Sequence, residues 1–313
     1  MLNLIKFIIN SLRRTAFPDE EPRVFEEHEE PQTKAVVDGS SVSVEVVEPE
    51  EEPEIEEPGR MAIGVWAGTS SLLKPKRDVE FCRKIGINRL DIIVNDHSKS
   101  RSQRDFDMHK VERIEVLSEL AKESGMEVHI MSWVMPHADY IRQAAKALVP
   151  LCNDLGIDSL QWDAEEPWTQ ARDPMPYSSA ADLLSDEFRN LKCPMGVNGI
   201  GYTPTSKFKP LADICEYIVP QCYATKTSKM NPTTVVPKFV RRYRAKFGVS
   251  KPIQVGLAAY RQPPKGFTID GAMAASFAGA EAIEGCDAVI YWSLGWLRRS
   301  RSAAKFIKNI ANK

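Results

Sequence analysis

The sequence of residues 60–313 predicts an α/β fold, a (β/α)8 TIM barrel, on three observations. Short apolar runs alternate with amphipathic stretches eight times, the mark of parallel strands joined by crossover helices. About 250 residues is a usual length for such a barrel, and eight units close on themselves most naturally. Polar and aromatic residues gather where the apolar runs end, the rim on which barrels carry their chemistry. A doubly wound open sheet is the alternative. No G-x-G-x-x-G follows the first run and there is no phosphate-binding Walker loop, so no cofactor is expected.

Residues 1–14 place Leu2, Ile5, Ile9 and Leu12 at helical spacing, with Leu4, Phe7 and Ile8 widening the apolar face beside Lys6, Arg13 and Arg14. This is an amphipathic docking helix; a protein partner, a membrane surface or the barrel itself would cover it. Residues 15–59 intersperse Pro18, Pro22, Pro31, Pro49, Pro53 and Pro58 with runs of Glu. Such an acidic linker buries too little apolar surface to offset chain entropy and is expected to be disordered, with at most a brief extended piece at 41–47. From Met61 on, strands are predicted at 61–67, 89–94, 127–134, 159–163, 195–200, 217–222, 253–258 and 288–293. The periodicity between and after them predicts helices near 79–85, 110–124, 138–155, 180–190, 209–215, 233–247, 271–283 and 303–310.

The net charge of -2 hides a division. Residues 1–59 carry 5 Lys+Arg against 16 Asp+Glu, net -11, which leaves 36 against 27, or +9, for the rest. A basic body is drawn to polyanions such as bacterial cell wall or nucleic acid. The clusters Arg241-Arg242-Tyr243-Arg244 and Arg298-Arg299-Ser300-Arg301 come without any recognised nucleic-acid module, so they are read as solvated faces or contacts to anionic wall polymer. Cys82, Cys152, Cys193, Cys215, Cys222 and Cys286 are scattered among apolar neighbours and read as reduced core thiols. The histidines, His28, His97, His109, His129 and His137, form neither H-x-H after the first strand nor H-E-x-x-H, so no metal is expected. No apolar run reaches the roughly 18 residues that span a bilayer. The amino terminus lacks a small-residue cleavage site, and a cytoplasmic location is expected by default.

The chemistry concentrates in Gly156-Ile157-Asp158-Ser159-Leu160-Gln161-Trp162-Asp163-Ala164-Glu165-Glu166-Pro167-Trp168. Gln161, Asp163 and Glu165 share one side of the fourth strand and climb toward its carboxyl end, the two acids about 7 Å apart along it. Other strand ends add Trp66, Trp133 and Asn198, then Gln221 and Tyr223, then Tyr260 and Arg261, and finally Trp292. Aromatic faces suit the flat apolar faces of sugar rings, while amides and carboxylates suit their hydroxyls. The bland alternative is a solvated acidic loop at 163–166.

These residues resemble the glycoside hydrolases of family 18, the chitinases and related N-acetylglucosaminidases. Asp158, Gln161, Asp163 and Glu165 stand in the frame of that family's D-x-x-D-x-D-x-E, with an amide replacing the second acid. Gln221-Cys222-Tyr223-Ala224 is similar to its Met-x-Tyr-Asp, keeping the tyrosine and losing the aspartate. Gly256-Leu257-Ala258-Ala259-Tyr260-Arg261 is similar to its Gly-x-x-x-Tyr-Gly-Arg, and Tyr291-Trp292-Ser293 to its last strand. Of its Ser-x-Gly-Gly only Ser132 is present. The resemblance implies a barrel that cleaves β-1,4 bonds of an N-acetylated aminosugar polymer by substrate-assisted, retaining chemistry. It implies Glu165 as general acid, Asp163 orienting the acetamido N–H, Tyr223 holding the acetamido carbonyl and Trp292 under the reacting sugar. Gln161, Glu166, Gln221, Tyr260, Arg261, Trp66, Trp133 and Asn198 would line the substrate. Family 25 lysozymes are similar in carrying a D-x-E pair on a barrel strand, and a basic body fits their anionic peptidoglycan. A polysaccharide partner follows either way, and a phage or bacterial cell-wall enzyme, released by lysis or carried in a particle, would fit. The rival reading is a barrel that binds a glycan or protein without turnover, since two of the family's acids are missing.

Overall fold

The computed structural model describes residues 61–68, 74–95, 105–200, 206–226, 230–248, 250–259 and 262–313, without the side chains of Glu166 and Ile200. The helix expected at 1–14 and the linker at 15–59 lie outside the described residues, as do Tyr260 and Arg261.

Eight parallel strands close in sequence order: β1 (Ala62–Gly68), β2 (Arg89–Ile93), β3 (Glu127–Trp133), β4 (Ser159–Asp163), β5 (Met195–Ile200), β6 (Tyr217–Gln221), β7 (Ile253–Ala258) and β8 (Cys286–Trp292). The helices are α1 (Pro75–Lys84), α2 (Val111–Glu123), α3 (Ala138–Leu155), α4 (Glu166–Thr169), α5 (Tyr177–Glu187), α6 (Lys209–Ile214), α7 (Pro232–Phe247), α8 (Ile269–Glu281), α9 (Leu294–Leu297) and α10 (Arg301–Ala311). Among the described residues none is long and apolar enough to cross a membrane, and all six cysteines are free thiols.

The two-residue period of the strands builds two separate cores. Outward side chains such as Val65, Leu90, Ile130, Leu160, Val197 and Val289 form the layer between sheet and helices. Burying each contributes roughly 1.5–3 kcal/mol, so this layer dominates the apolar drive to fold. The helices meet it with matching stripes: on α3, Tyr140, Ile141, Ala144, Ala145, Leu148, Leu151 and Cys152 recur at helical spacing and are buried. Gly156 ends α3 in the left-handed region, φ 58°, which a side chain would strain. Lys122 caps that end by donating to the Leu155 and Gly156 carbonyls. At other starts a side chain takes an orphan amide: Asn231 for α7, Thr268 for α8 and Ser300 for α10.

Inward side chains fill the lumen, where space is rationed because eight strands fix the radius. Large residues therefore face glycines on other strands, adjacent or across the lumen. A Cβ on Gly196 would lie 2.0 Å from the Tyr217 ring, and one on Gly256 would lie 2.8 Å from the Trp66 indole. The resulting inner cluster is Trp66, Ile93, Met131, Tyr217, Val219 and Ile290, with Tyr223 and Trp292 resting on it.

Candidate active site

β4 ends at Asp163, whose backbone pairs with Trp133 of β3 on one side and Asn198 of β5 on the other. Beyond it the Ala164 amide donates to the Asn198 carbonyl at 3.1 Å, so the chain stays tied to the sheet for one more residue. The Glu165 carbonyl then accepts from both the amide and the hydroxyl of Thr169, at 3.0 and 2.9 Å, which fixes the turn into α4. The Trp168 indole N–H donates to the Lys207 carbonyl at 2.8 Å and anchors α4 from below. Asp163 is 2% exposed and Glu165 is half-buried.

Beneath these acids an amide chain crosses the lumen. Gln161 Oε1 accepts from Trp66 Nε1 at 3.0 Å and from Asn198 Nδ2 at 2.8 Å, and Asn198 Oδ1 accepts from Gln221 Nε2 at 2.9 Å. Asn198 Nδ2 also touches Met131 Sδ at 3.2 Å. Trp66 can only donate, so its indole fixes which end of Gln161 is oxygen, and that choice propagates to Asn198 and Gln221. Two polar atoms are left over: Gln161 Nε2, a donor, and Asp163 Oδ1, an acceptor, both buried and unpartnered. The Gln161 side chain lies beside the Tyr217 phenol, lower in the lumen, so the atom left for a polar ligand under the mouth is Asp163 Oδ1.

Burial raises the Asp163 pKa well above the ordinary carboxylate value, and the neighbouring Glu165 charge pushes it the same way. Asp163 therefore retains a proton that an isolated carboxylate would have lost.

The structure brings most of the expected residues to one end of the lumen. Tyr223 and Trp292 are half-buried on the inner cluster, and the Trp292 ring lies 6.0 Å from that of Trp66. Trp133 is 9% exposed, and Asn95 Oδ1 accepts from its amide at 2.8 Å. Trp66, Gln161 and Asn198, at 1% exposure or less, lie below the mouth and act as its floor. Glu166 opens α4, its side chain undescribed; Tyr260 and Arg261 fall outside the described residues. Among the described residues no group of His, Cys, Asp and Glu is arranged to hold a metal. Two clefts measured on the described residues, about 310 Å3 beside Asp182 and Lys209 and about 450 Å3 beside Arg244 and Lys251, lie away from these strand ends.

Sequence reasoning passed over Tyr243. This buried phenol comes from α7, far from any strand end, and its pKa is raised by burial and then by the nearby Cys222, Glu165 and Asp163. Its hydroxyl reaches β5 because Gly199 has no side chain; a Cβ there would lie 3.1 Å from it. A glycine inside a strand was the available signal.

No protein-family model and no curated protein matches the sequence. Solved structures do match. A GH5_18 protein from Bifidobacterium longum subsp. longum is similar at TM-score 0.63 and 9% identity over 81% of this chain and 79% of its own. The spore cortex-lytic enzyme SleL of Bacillus megaterium is similar at TM-score 0.54 and 11% identity over 81% and 75%. The xylanase and alpha-amylase inhibitor protein XAIP-II of Scadoxus multiflorus is similar at TM-score 0.56 and 11% identity over 80% and 98%. At these identities the likeness is one of fold, the closed (β/α)8 barrel.

Proposed function

We propose that the barrel is a retaining, substrate-assisted glycoside hydrolase that cleaves β-1,4 bonds of an N-acetylated aminosugar polymer of the peptidoglycan or chitin kind. The observation that carries this reading is the buried Asp163, its Oδ1 unpartnered, two residues before Glu165 at the end of β4. A carboxyl in that state waits for a donor, and the N–H of a 2-acetamido group is one. Donation to Asp163 favours its ionised form, so the proton it held becomes available to Glu165. The acetamido oxygen then attacks the anomeric carbon, the glycosidic C–O bond breaks, and the departing oxygen takes the proton from Glu165. Asp163 stabilises the positive oxazolinium-like intermediate, and Tyr223 holds the acetamido carbonyl in line. Water, giving its proton back to Glu165, attacks the same carbon and restores the acetamido group. Trp292 lies under the reacting sugar. The fold is shared with a cortex-lytic enzyme and with glycoside hydrolases acting on other glycans, which is support of a general kind.

Glu165→Gln tests the reading. It should abolish release of reducing ends from chitooligosaccharide or peptidoglycan while the protein still folds and binds glycan. Mass analysis of the products then separates muramidase, glucosaminidase and chitinase by the reducing-end sugar. The second reading is a barrel that binds glycan or protein without turnover. It is favoured by Gln161 and Ala224 at positions where the resembling family has acids, and by the inhibitor proteins that share the fold. Binding without turnover by the unmodified protein would establish it.

A further inference from the structure

Two of the six thiols meet where the chain enters β4 and β5, at the opposite end of β4 from Asp163. Cys152 lies in the last turn of α3, inside the layer between sheet and helices, and Cys193 packs against that layer from the loop that leads into β5. The backbone around both is pinned. Asn153 donates from Nδ2 to the Asn190 carbonyl at 3.0 Å and accepts at Oδ1 from the Lys192 amide at 2.9 Å, so the neighbour of one cysteine holds the neighbour of the other. The Cys152 carbonyl accepts from the Ile157 amide at 2.9 Å, and the Pro194 carbonyl accepts from the Leu160 amide at 3.0 Å. Between these clamps the two side chains are in hydrogen-bonding contact, sulfur to sulfur. Cys152 is 1% exposed and Cys193 is half-buried, so a reagent in solution reaches Cys193 first. The Cys152 S–H donates to Cys193 and holds the Cys193 pKa below the ordinary thiol value, with help from the Cys193 and Leu160 amides. Burial instead raises Cys82, Cys215, Cys222 and Cys286. A partly exposed sulfur that ionises early, with a second thiol in contact, is open to reversible oxidation, whereas buried thiols of raised pKa are inert.

We propose that Cys152 and Cys193 are a reversible oxidation site, a dithiol that a low-molecular-weight disulfide converts to a Cys152–Cys193 disulfide. The Cys193 thiolate attacks one sulfur of the small disulfide, whose S–S bond breaks. One thiolate leaves, takes up the proton that Cys193 had released, and Cys193 is left as a mixed disulfide. The Cys152 sulfur then attacks Cys193 Sγ, the bond to the small thiol breaks, and the departing thiolate takes the Cys152 proton. Two protein thiols are oxidised, and one small disulfide is reduced to two thiols. The new bond ties the end of α3 to the entry of β5 and closes the stretch that carries Asp163 and Glu165 into a covalent loop. Such a loop stabilises the folded chain chiefly by restricting the unfolded one. The inference stands apart from the glycosidase reading and is tested without any glycan.

The test equilibrates the full chain, first reduced, in buffers of graded ratio of glutathione to glutathione disulfide. Acid then stops exchange, free thiols are alkylated and peptide mass mapping locates them, while the melting midpoint is followed in parallel. The expected result is the loss of two alkylatable thiols, a peptide pair linked through Cys152 and Cys193, a midpoint raised by several degrees, and full reversal by dithiothreitol. Cys152→Ser should stop the reaction at a Cys193–glutathione mixed disulfide, and Cys193→Ser should leave Cys152 unmodified. All six thiols alkylated at every ratio, a mixed disulfide at Cys193 that Cys152 never resolves, or a disulfide between other cysteines overturns the inference. A linked pair that fails to raise the midpoint overturns it as well, because the bond is then strained and foreign to the fold. The unsubstituted chain decides among these outcomes by itself, so the folding of either variant does not bear on the result.

Discussion

The two ends of one lumen are built on opposite terms. At the amino-terminal end the strong polar groups are mostly tied to one another, with Gln254 Oε1 the exception among the described residues. Arg89 donates to both oxygens of Asp91 at 2.9 Å, and Tyr217, Ser159 and His129 are linked by contacts of 2.6 Å. Burial pushes the Tyr217 phenol up to about 12, so it stays a neutral hydroxyl throughout the working range. At the carboxyl end Asp163 Oδ1 stays open, and that acid is held against ionisation. The difference teaches where stability and chemistry reside: the satisfied end holds the barrel together, and the unsatisfied end gives up stability to remain available.

Variants at each end should therefore fail in different ways. The largest effect is expected from Glu165→Gln, a fall in turnover of about 10²–10⁴ with the unfolding midpoint unchanged, measured by reducing-end release and urea titration. An equal loss of stability would erase the contrast. Arg89→Met should do the reverse, costing about 3–5 kcal/mol in urea titration because Asp91 is left buried and unpaired, with turnover per folded molecule intact. Gly196→Ala sharpens the point with no charge involved. The Tyr217 ring must move to admit a methyl, at a cost of about 1–3 kcal/mol in the same assay.

The subtlest test concerns pH. The native state holds the Asp163 proton more tightly than the unfolded chain does, so stability declines as pH rises from the unfolded carboxylate value toward the raised folded value. Asp163→Asn removes that decline. It should melt higher than the parent at neutral pH, and the gap should close below the ordinary carboxylate range, where Asp163 is protonated in both states. A gap that widened on acidification would mean that Asp163 is stabilised as the anion.

Much of the barrel was legible in the sequence because strand and helix periods are local signals. β4, β5, β7 and α3 fall on the predicted bounds, and the other strands shift by one or two residues. α1 begins at Pro75, before its apolar stripe, because proline suits a first helical turn. α5 likewise begins three residues early, at Tyr177. α4 and α9 are single turns, too short to show a period. The candidate site was legible only as residues at strand ends. The partners of Gln161 come from β1 and β5, and which side chains meet across a lumen depends on barrel radius and stagger, which no local pattern encodes. Tyr243, arriving from an outer helix at Gly199, left only the indirect signal of a glycine inside a strand.

The placement of Trp66 has an optical consequence. Its indole is sealed beneath the mouth with its N–H occupied, and the half-exposed ring of Trp292 stands 6.0 Å above it. Excitation passes readily between chromophores at that separation, and only the upper one meets whatever enters. The protein thus carries a native fluorescent gauge: a guest settling on Trp292 changes the emission of the coupled rings, and occupancy can be followed without attaching a dye.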